Sequence, residues 1–183
     1  MSISLLISPS IIAGPIAFTK ISFLAHSLAS TFTSWANAAF ELEYEAYSAL
    51  ATLLDTDAKA FLLCHPNNPT GTFIKKREII RFLEKVPNNK IVFLDQAYFE
   101  YSDYEEEDIT LDIVNNFENL VISRTFSKAY GLAGLRVGYG IASEEITEVL
   151  NRVRHPFNVN CLALAGAEAA LNDETFVAES VAQ

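Results

Sequence analysis

Short unbroken apolar runs alternate along the chain with longer stretches in which apolar residues recur at every third or fourth position. Residues 60–64, 91–94, 120–122 and 137–141 are runs of the first kind, and this is the pattern of strands covered on both faces. Residues 18–28 have helical spacing. In 43–54 Tyr44, Tyr47, Leu50 and Leu54 share one face, and in 75–85 Ile79, Ile80 and Leu83 point inward while the charges point outward. Residues 111–117 predict a further short helix. Ser143 is placed to cap a helix reaching Arg152, with Glu144 and Glu145 in the first turn, where acids suit the helix dipole. An Ala-rich helix over 161–171 reads as the last element. Pro66-Asn67-Asn68-Pro69-Thr70-Gly71 is turn-forming, and the acidic run 105–108 reads as a solvated loop. Residues 3–7 read as a buried strand leading into a loop, and 35–40 as a disturbed strand and loop. There is no internal repeat or low-complexity tract.

Strands alternating with helices predict an α/β fold around a mostly parallel sheet. Ligands of such sheets gather outside the carboxyl ends of the strands. Unusual polar residues cluster at those places. Asn67 and Asn68 follow the run 60–64, and Asp95 and Tyr98 end the run 91–94. Thr125, Ser127 and Lys128 follow 120–122, and Arg136 directly precedes 137–141.

Composition narrows the function classes. At 50% hydrophobic and 20% charged residues, the 183-residue chain is rich enough to bury a sizeable core. A net charge of -10, from 13 basic and 23 acidic residues, argues against a nucleic-acid surface, which needs a basic stripe or patch. Two cysteines make no disulfide framework, so a reducing cytoplasm is the expected compartment. Cys64 and Cys161 lie in apolar runs and read as inert core thiols. His26, His65 and His155 stand alone and no C-x-x-C pair exists, so no metal site is expected. His65, before a proline, reads as structural or exposed. From Met1 to Phe40 the only formally charged side chain is Lys20. No Lys or Arg precedes the apolar start, as a signal peptide requires. Ser, Pro and Gly interrupt it well before the roughly 20 apolar residues of a membrane span. An opening on a buried strand is what an internal piece of a longer protein would show.

The strand-end residues have a shared chemistry. A lysine on a loop beside a sheet can condense with an aldehyde. A carboxylate at a strand end can keep a pyridine nitrogen protonated. An amide and a phenol can both donate to a phenolate oxygen, and an arginine with hydroxyls beside it can hold a phosphate. These are the needs of pyridoxal phosphate. Taken singly, each residue has a plainer reading. Lys128 could be solvated, Asp95 and the Asn67-Asn68-Pro69 segment could form turns, and Arg136 could cap a helix. Thr125 and Ser127 could satisfy their own backbone.

The 17-residue wording Ser123-Arg124-Thr125-Phe126-Ser127-Lys128-Ala129-Tyr130-Gly131-Leu132-Ala133-Gly134-Leu135-Arg136-Val137-Gly138-Tyr139 resembles the cofactor-lysine motif of fold-type-I, class I/II aminotransferases. Asn67-Asn68-Pro69-Thr70-Gly71 and Asp95-Gln96-Ala97-Tyr98 resemble two further signatures of that family, in the expected order. With Arg154-His155-Pro156-Phe157-Asn158-Val159-Asn160, the wording is most similar to the histidinol-phosphate aminotransferase branch. The resemblance is clearest over 60–171.

The resemblance implies a three-layer α/β sandwich, the large domain of fold type I, present here in part over 1–183 without the family's N-terminal arm and C-terminal small domain. It implies Lys128 as the residue that carries pyridoxal phosphate as a Schiff base and shuttles a proton. Asp95 would hold the ring nitrogen, and Asn68 and Tyr98 the ring oxygen. Thr125, Ser127 and Arg136 would hold the phosphate. Phe18 is the local aromatic for the ring's outer face, with plain core as its competing reading. Gly131 and Gly134 would let the backbone turn between lysine and arginine. Gln96 stands where the family commonly has Glu. The implied reaction passes an amino group from histidinol phosphate to 2-oxoglutarate in two half-reactions. The partners are thus small molecules and a second subunit in a homodimer, with no nucleic acid or membrane. An aromatic amino acid aminotransferase and a phospho-amino-acid decarboxylase share the cofactor and remain open. So does an inactive remnant of the enzyme.

Overall fold

The computed structural model describes Leu54 and residues 58–102, 111–154 and 157–182. The elements predicted over 3–7, 18–28, 35–40 and 105–108, nearly all of 43–54, and the readings of Phe18, His26 and His155 lie outside the described residues.

The four interior apolar runs are strands: β1 (Ala60–Cys64), β2 (Ile91–Asp95), β3 (Leu120–Thr125) and β4 (Gly138–Ala142). They form one sheet in the order β1-β2-β3-β4. The first three are parallel, and β4 runs antiparallel to β3. The described residues thus form an α/β unit with a mostly parallel sheet, as the apolar pattern predicts. Helix α1 (Lys76–Leu83) lies in the β1–β2 connection and α2 (Leu111–Val114) in the β2–β3 connection. Parallel neighbours need such crossovers, because a tight turn can only reverse the chain.

One face of the sheet supplies Phe61, Leu63, Val92, Leu94, Leu120, Ile122 and Ile141 to a core. Ile79, Phe82 and Leu83 of α1 and Ile113 and Val114 of α2 cover it. Phe82 meets Phe61 edge-on, with ring centroids 5.6 Å apart. Alternate residues of each strand reach this face, as the two-residue period of a strand requires. α2 is a single turn, shorter than the predicted 111–117. The N–H groups of Asn116 and Phe117 both return to the Ile113 carbonyl, and the chain then enters β3. β3 in turn runs beyond its apolar core, because Ser123, Arg124 and Thr125 pair with Gly140, Tyr139 and Gly138 of β4. A Cβ on Gly138 would stand 2.7 Å from the Arg124 carbonyl oxygen, so only glycine fits where β4 meets β3.

After β4 comes α3 (Glu144–Val153). Ser143 Oγ accepts from Ile146 N at its start and donates to Glu118 O at 2.9 Å. α4 (Cys161–Leu171) has the predicted bounds and starts on Asn160, whose Oδ1 accepts from Ala163 N at 2.8 Å. Its Ala163 and Ala167 pack with Phe126 and Val137 in a second small core. The helix α5 (Glu174–Val181) corrects the expectation that α4 is the last element. Its apolar residues make no clear stripe, and its one legible signal is Asp173, which accepts from Phe176 N at 3.0 Å. No helix among the described residues is long and apolar enough to cross a membrane.

Both cysteines are exposed, not core. Cys64 is the last residue of β1, where the chain leaves the sheet, and Cys161 opens α4. An apolar run says which segment is buried but not that its end residues are. His65 is structural, only 2% exposed. Its Nδ1 accepts from Ile74 N at 3.3 Å and its ring lies 4.2 Å from that of Phe73. Burial pushes its pKa down to about 4.

Candidate active site

Sheet register aligns Cys64, Asp95, Ser123 and Gly140 in one row across the four strands. Residues in register project to the same face, so Ser123 Oγ reaches Asp95 Oδ1 at 3.2 Å. The Ala97 N–H donates to the same oxygen, also at 3.2 Å. Burial raises the Asp95 pKa, and the hydrogen bonds from Ser123 and Ala97 pull against that rise.

Beyond β2 the Gln96 N–H continues the ladder to Ser123 O at 2.8 Å, and a 3-10 turn follows at Phe99–Tyr101. This geometry sets Tyr98 at the strand end. Asn68 Nδ2 donates to the Tyr98 hydroxyl at 3.2 Å. Lys128 Nζ lies over the Tyr98 ring, 5.1 Å from its centroid. The loop after β1 distinguishes the two asparagines. Asn67 is used within the turn: its backbone pairs with Gly71 N and Thr72 O, and its Nδ2 donates to Thr70 Oγ1 at 2.6 Å. Gly71 closes the turn at φ +67, leaving the Asn68 amide to face Tyr98.

The loop from β3 to β4 carries the remaining groups. Thr125 Oγ1 accepts from Ser127 N at 3.1 Å, which orders the segment before Lys128. Gly131 turns at φ +68. Arg136 sits in the left-handed region, φ 55 and ψ 50, which costs a non-glycine residue about 1–2 kcal/mol. Its Nη1 donates to Ala133 O at 2.8 Å and to Ser127 Oγ at 3.3 Å. Because β4 is antiparallel, Arg136 enters it at the edge where β3 ends, beside Thr125 and Ser127.

The structure therefore gathers Asn68, Tyr98 and Lys128 in one group and Thr125, Ser127 and Arg136 in another. Asp95 is tied to Ser123 and Ala97. Phe18 lies outside the described residues. Two further polar side chains are not assigned by sequence reasoning. Ser123 binds Asp95, a contact created by register between distant segments. Arg124 Nε donates to Gln96 Oε1 at 3.0 Å, and its guanidinium stacks 3.9 Å from the Phe99 ring centroid. Gln96 is fully buried and its Nε2 has no partner among the described residues. Its sequence signals are its position directly after Asp95 and its standing where the family commonly has Glu. Chemically, the site offers an exposed amine, a carboxylate with one oxygen unengaged by the described residues, two hydrogen-bonding side chains and a hydroxyl-flanked guanidinium.

Comparison with known proteins agrees with this chemistry. The model of the family "Aminotransferase class I and II" matches residues 26–183. The chain is 57% identical over 126 residues to histidinol-phosphate aminotransferase 1 of Thiobacillus denitrificans, covering 69% of this chain and 33% of that protein. The structure of the histidinol-phosphate aminotransferase from Clostridium acetobutylicum is similar with a TM-score of 0.67 at 28% identity, over 74% of this chain and 40% of that one. The Sinorhizobium meliloti enzyme, solved in complex with pyridoxal-5'-phosphate, has a TM-score of 0.64 at 30% identity, over 72% and 36% of the two chains. The chain spans about a third of the length of the curated relatives it matches. With its motifs in order around one sheet edge and a family match over most of its length, the chain belongs to the aminotransferase class I and II family.

Proposed function

We propose that this chain is the cofactor-binding part of the large domain of a histidinol-phosphate aminotransferase. The reaction moves the amino group of histidinol phosphate to 2-oxoglutarate, giving imidazole acetol phosphate and glutamate. The observation that carries the reading is Lys128 Nζ over the Tyr98 ring, whose hydroxyl takes the Asn68 amide. The named relatives, at up to 57% identity, support the choice of substrate.

Pyridoxal phosphate, when bound, supplies an electron sink for the substrate Cα. The donor set here fits that group. Arg136 with Ser127 and Thr125 offers fixed donors to its anionic end. Asp95, with one oxygen unengaged by the described residues, would hold a proton at the ring nitrogen. Asn68 and Tyr98 would hydrogen-bond the ring oxygen. Lys128 would hold the cofactor and move the proton at the substrate Cα. Phe18 stays the proposed stacking residue. A cytoplasmic homodimer belongs to the same reading, supported by two free cysteines and by the family.

Borohydride reduction of the chain after incubation with pyridoxal phosphate tests the proposal. Intact mass should rise by one reduced cofactor, peptide mapping should place it on Lys128, and Lys128→Ala should abolish it. Label on Lys75, Lys76 or Lys90 instead, or none at all, overturns the assignment. Amino transfer from histidinol phosphate, measured beside aromatic amino acids and carbon dioxide release from phosphothreonine, then separates the related reactions.

A further inference from the structure

We infer that Ser123 is a positioning residue for the Asp95 carboxylate: its hydroxyl fixes Oδ1 so that Oδ2 is the oxygen left for the cofactor's ring nitrogen. The inference rests on the cofactor reading above and adds a residue to it.

Three observations carry it. Both protein donors to the Asp95 side chain, Ser123 Oγ and Ala97 N–H, use Oδ1, each at 3.2 Å. No donor among the described residues engages Oδ2. A carboxylate held at one oxygen from two directions has lost its rotation, and its second oxygen points one way. Ser123 is itself placed by the sheet. It stands in register with Asp95 on β2 and with Gly140 on β4. Gly140 offers no side chain, so the Ser123 hydroxyl has no competitor on that flank and turns to Asp95. The bond also favours the charged carboxylate. Burial favours the neutral acid, whereas the Ser123 hydroxyl stabilises the anion. An anion beside the ring nitrogen keeps the nitrogen protonated, while a neutral acid there would not. The alternative is a purely structural hydroxyl that ties β2 to β3. That role would affect stability but not the state of the ring nitrogen.

The ring-nitrogen NMR shift of isotopically labelled pyridoxal phosphate distinguishes these roles. It would be measured on the chain loaded with cofactor, with melting of the cofactor-free chain recorded in parallel. The wild type should show a protonated nitrogen. Asp95→Ala should move the shift to that of neutral pyridine. Ser123→Ala should move it part of the way, and Ser123→Thr, which keeps the hydroxyl, should restore it. Should Ser123→Ala fail to fold, Ser123→Cys, with its weak donor, should give a displaced shift at nearly native volume. A full response to Asp95→Ala with a wild-type shift in the folded Ser123 variants overturns this inference alone. Failure of the wild type to take up cofactor, or no response to Asp95→Ala, overturns the cofactor reading and this inference with it.

Discussion

At the residue scale, burial against polar partners sets the chemistry. His65 is buried, with its Nδ1 accepting from the Ile74 N–H and its ring on Phe73, and this burial disfavours the charged imidazolium and lowers its pKa to about 4. The unfolded chain takes up that proton near pH 6.5, where the folded chain does not. Stability from this group is therefore complete above about pH 6.5 and declines as pH falls toward 4, by about 3 kcal/mol in all. Urea unfolding at a series of pH values should show this slope. His65→Asn, which keeps an acceptor but does not titrate, should flatten it. An equal slope in both proteins would rule out His65 as the source. Asp95 allows a second prediction. In a version extended to the length of the relatives, Asp95→Ala should reduce turnover by orders of magnitude while leaving cofactor bound, because the amine and phosphate contacts lie elsewhere. Near-native turnover by that variant would remove Asp95 from the mechanism.

At the scale of elements, the tightest constraint is the β3–β4 pairing. Gly138→Ala drives a methyl group to 2.7 Å from the Arg124 carbonyl oxygen. Backbone has to shift, so a loss of about 1–3 kcal/mol is expected in chemical denaturation. The same shift displaces Arg136, two residues earlier, and should weaken cofactor binding; unchanged stability would show that the strands relax freely. The start of α3 is a milder case. Ser143→Ala removes a bond to Ile146 N and another to Glu118 O, and should cost about 1 kcal/mol. Most of these elements were legible from apolar spacing and caps. The extension of β3 is decided by pairing with β4, which local spacing does not report, whereas α2 ends locally on the Ile113 carbonyl and α5 lacks an apolar stripe to announce it.

For the whole molecule, exposed apolar side chains are the outstanding feature. Phe157 is 98% exposed, Leu162 73% and Val153 72%, all close in sequence around the α3–α4 connection. Such surface favours association. Gel filtration of the purified chain should show oligomers or aggregates, and Phe157→Ser with Leu162→Gln should shift it toward monomer. A clean monomer in the unaltered chain would contradict this. The same experiment bears on activity. Positioning of a reacting carbon to within about 1 Å governs rate. A chain that spans about a third of its relatives should then turn over histidinol phosphate far more slowly than a longer version of the protein. Equal rates would show that the described site is sufficient.

The sequence alone determined the strand–helix alternation, because apolar period is a local property, and it determined the chemical inventory, because the motifs are contiguous. It also singles out Lys128 among the lysines, by its neighbours, as the candidate cofactor residue. Only the tertiary structure decided how the groups meet. Arg136 precedes β4, and in a parallel strand it would lie at the opposite edge of the sheet from Thr125. The antiparallel pairing of β4 with β3 brings it beside Ser127. The resemblance singles out Asn68 over Asn67 without a physical reason, and the hydrogen-bonded turn supplies one: Asn67 is used within the turn while Asn68 faces Tyr98. Ser123 and Asp95 are 28 positions apart, and strand register alone makes them partners. Register and strand direction are settled by the burial of a whole face at once, and for that reason they cannot be read from any one segment.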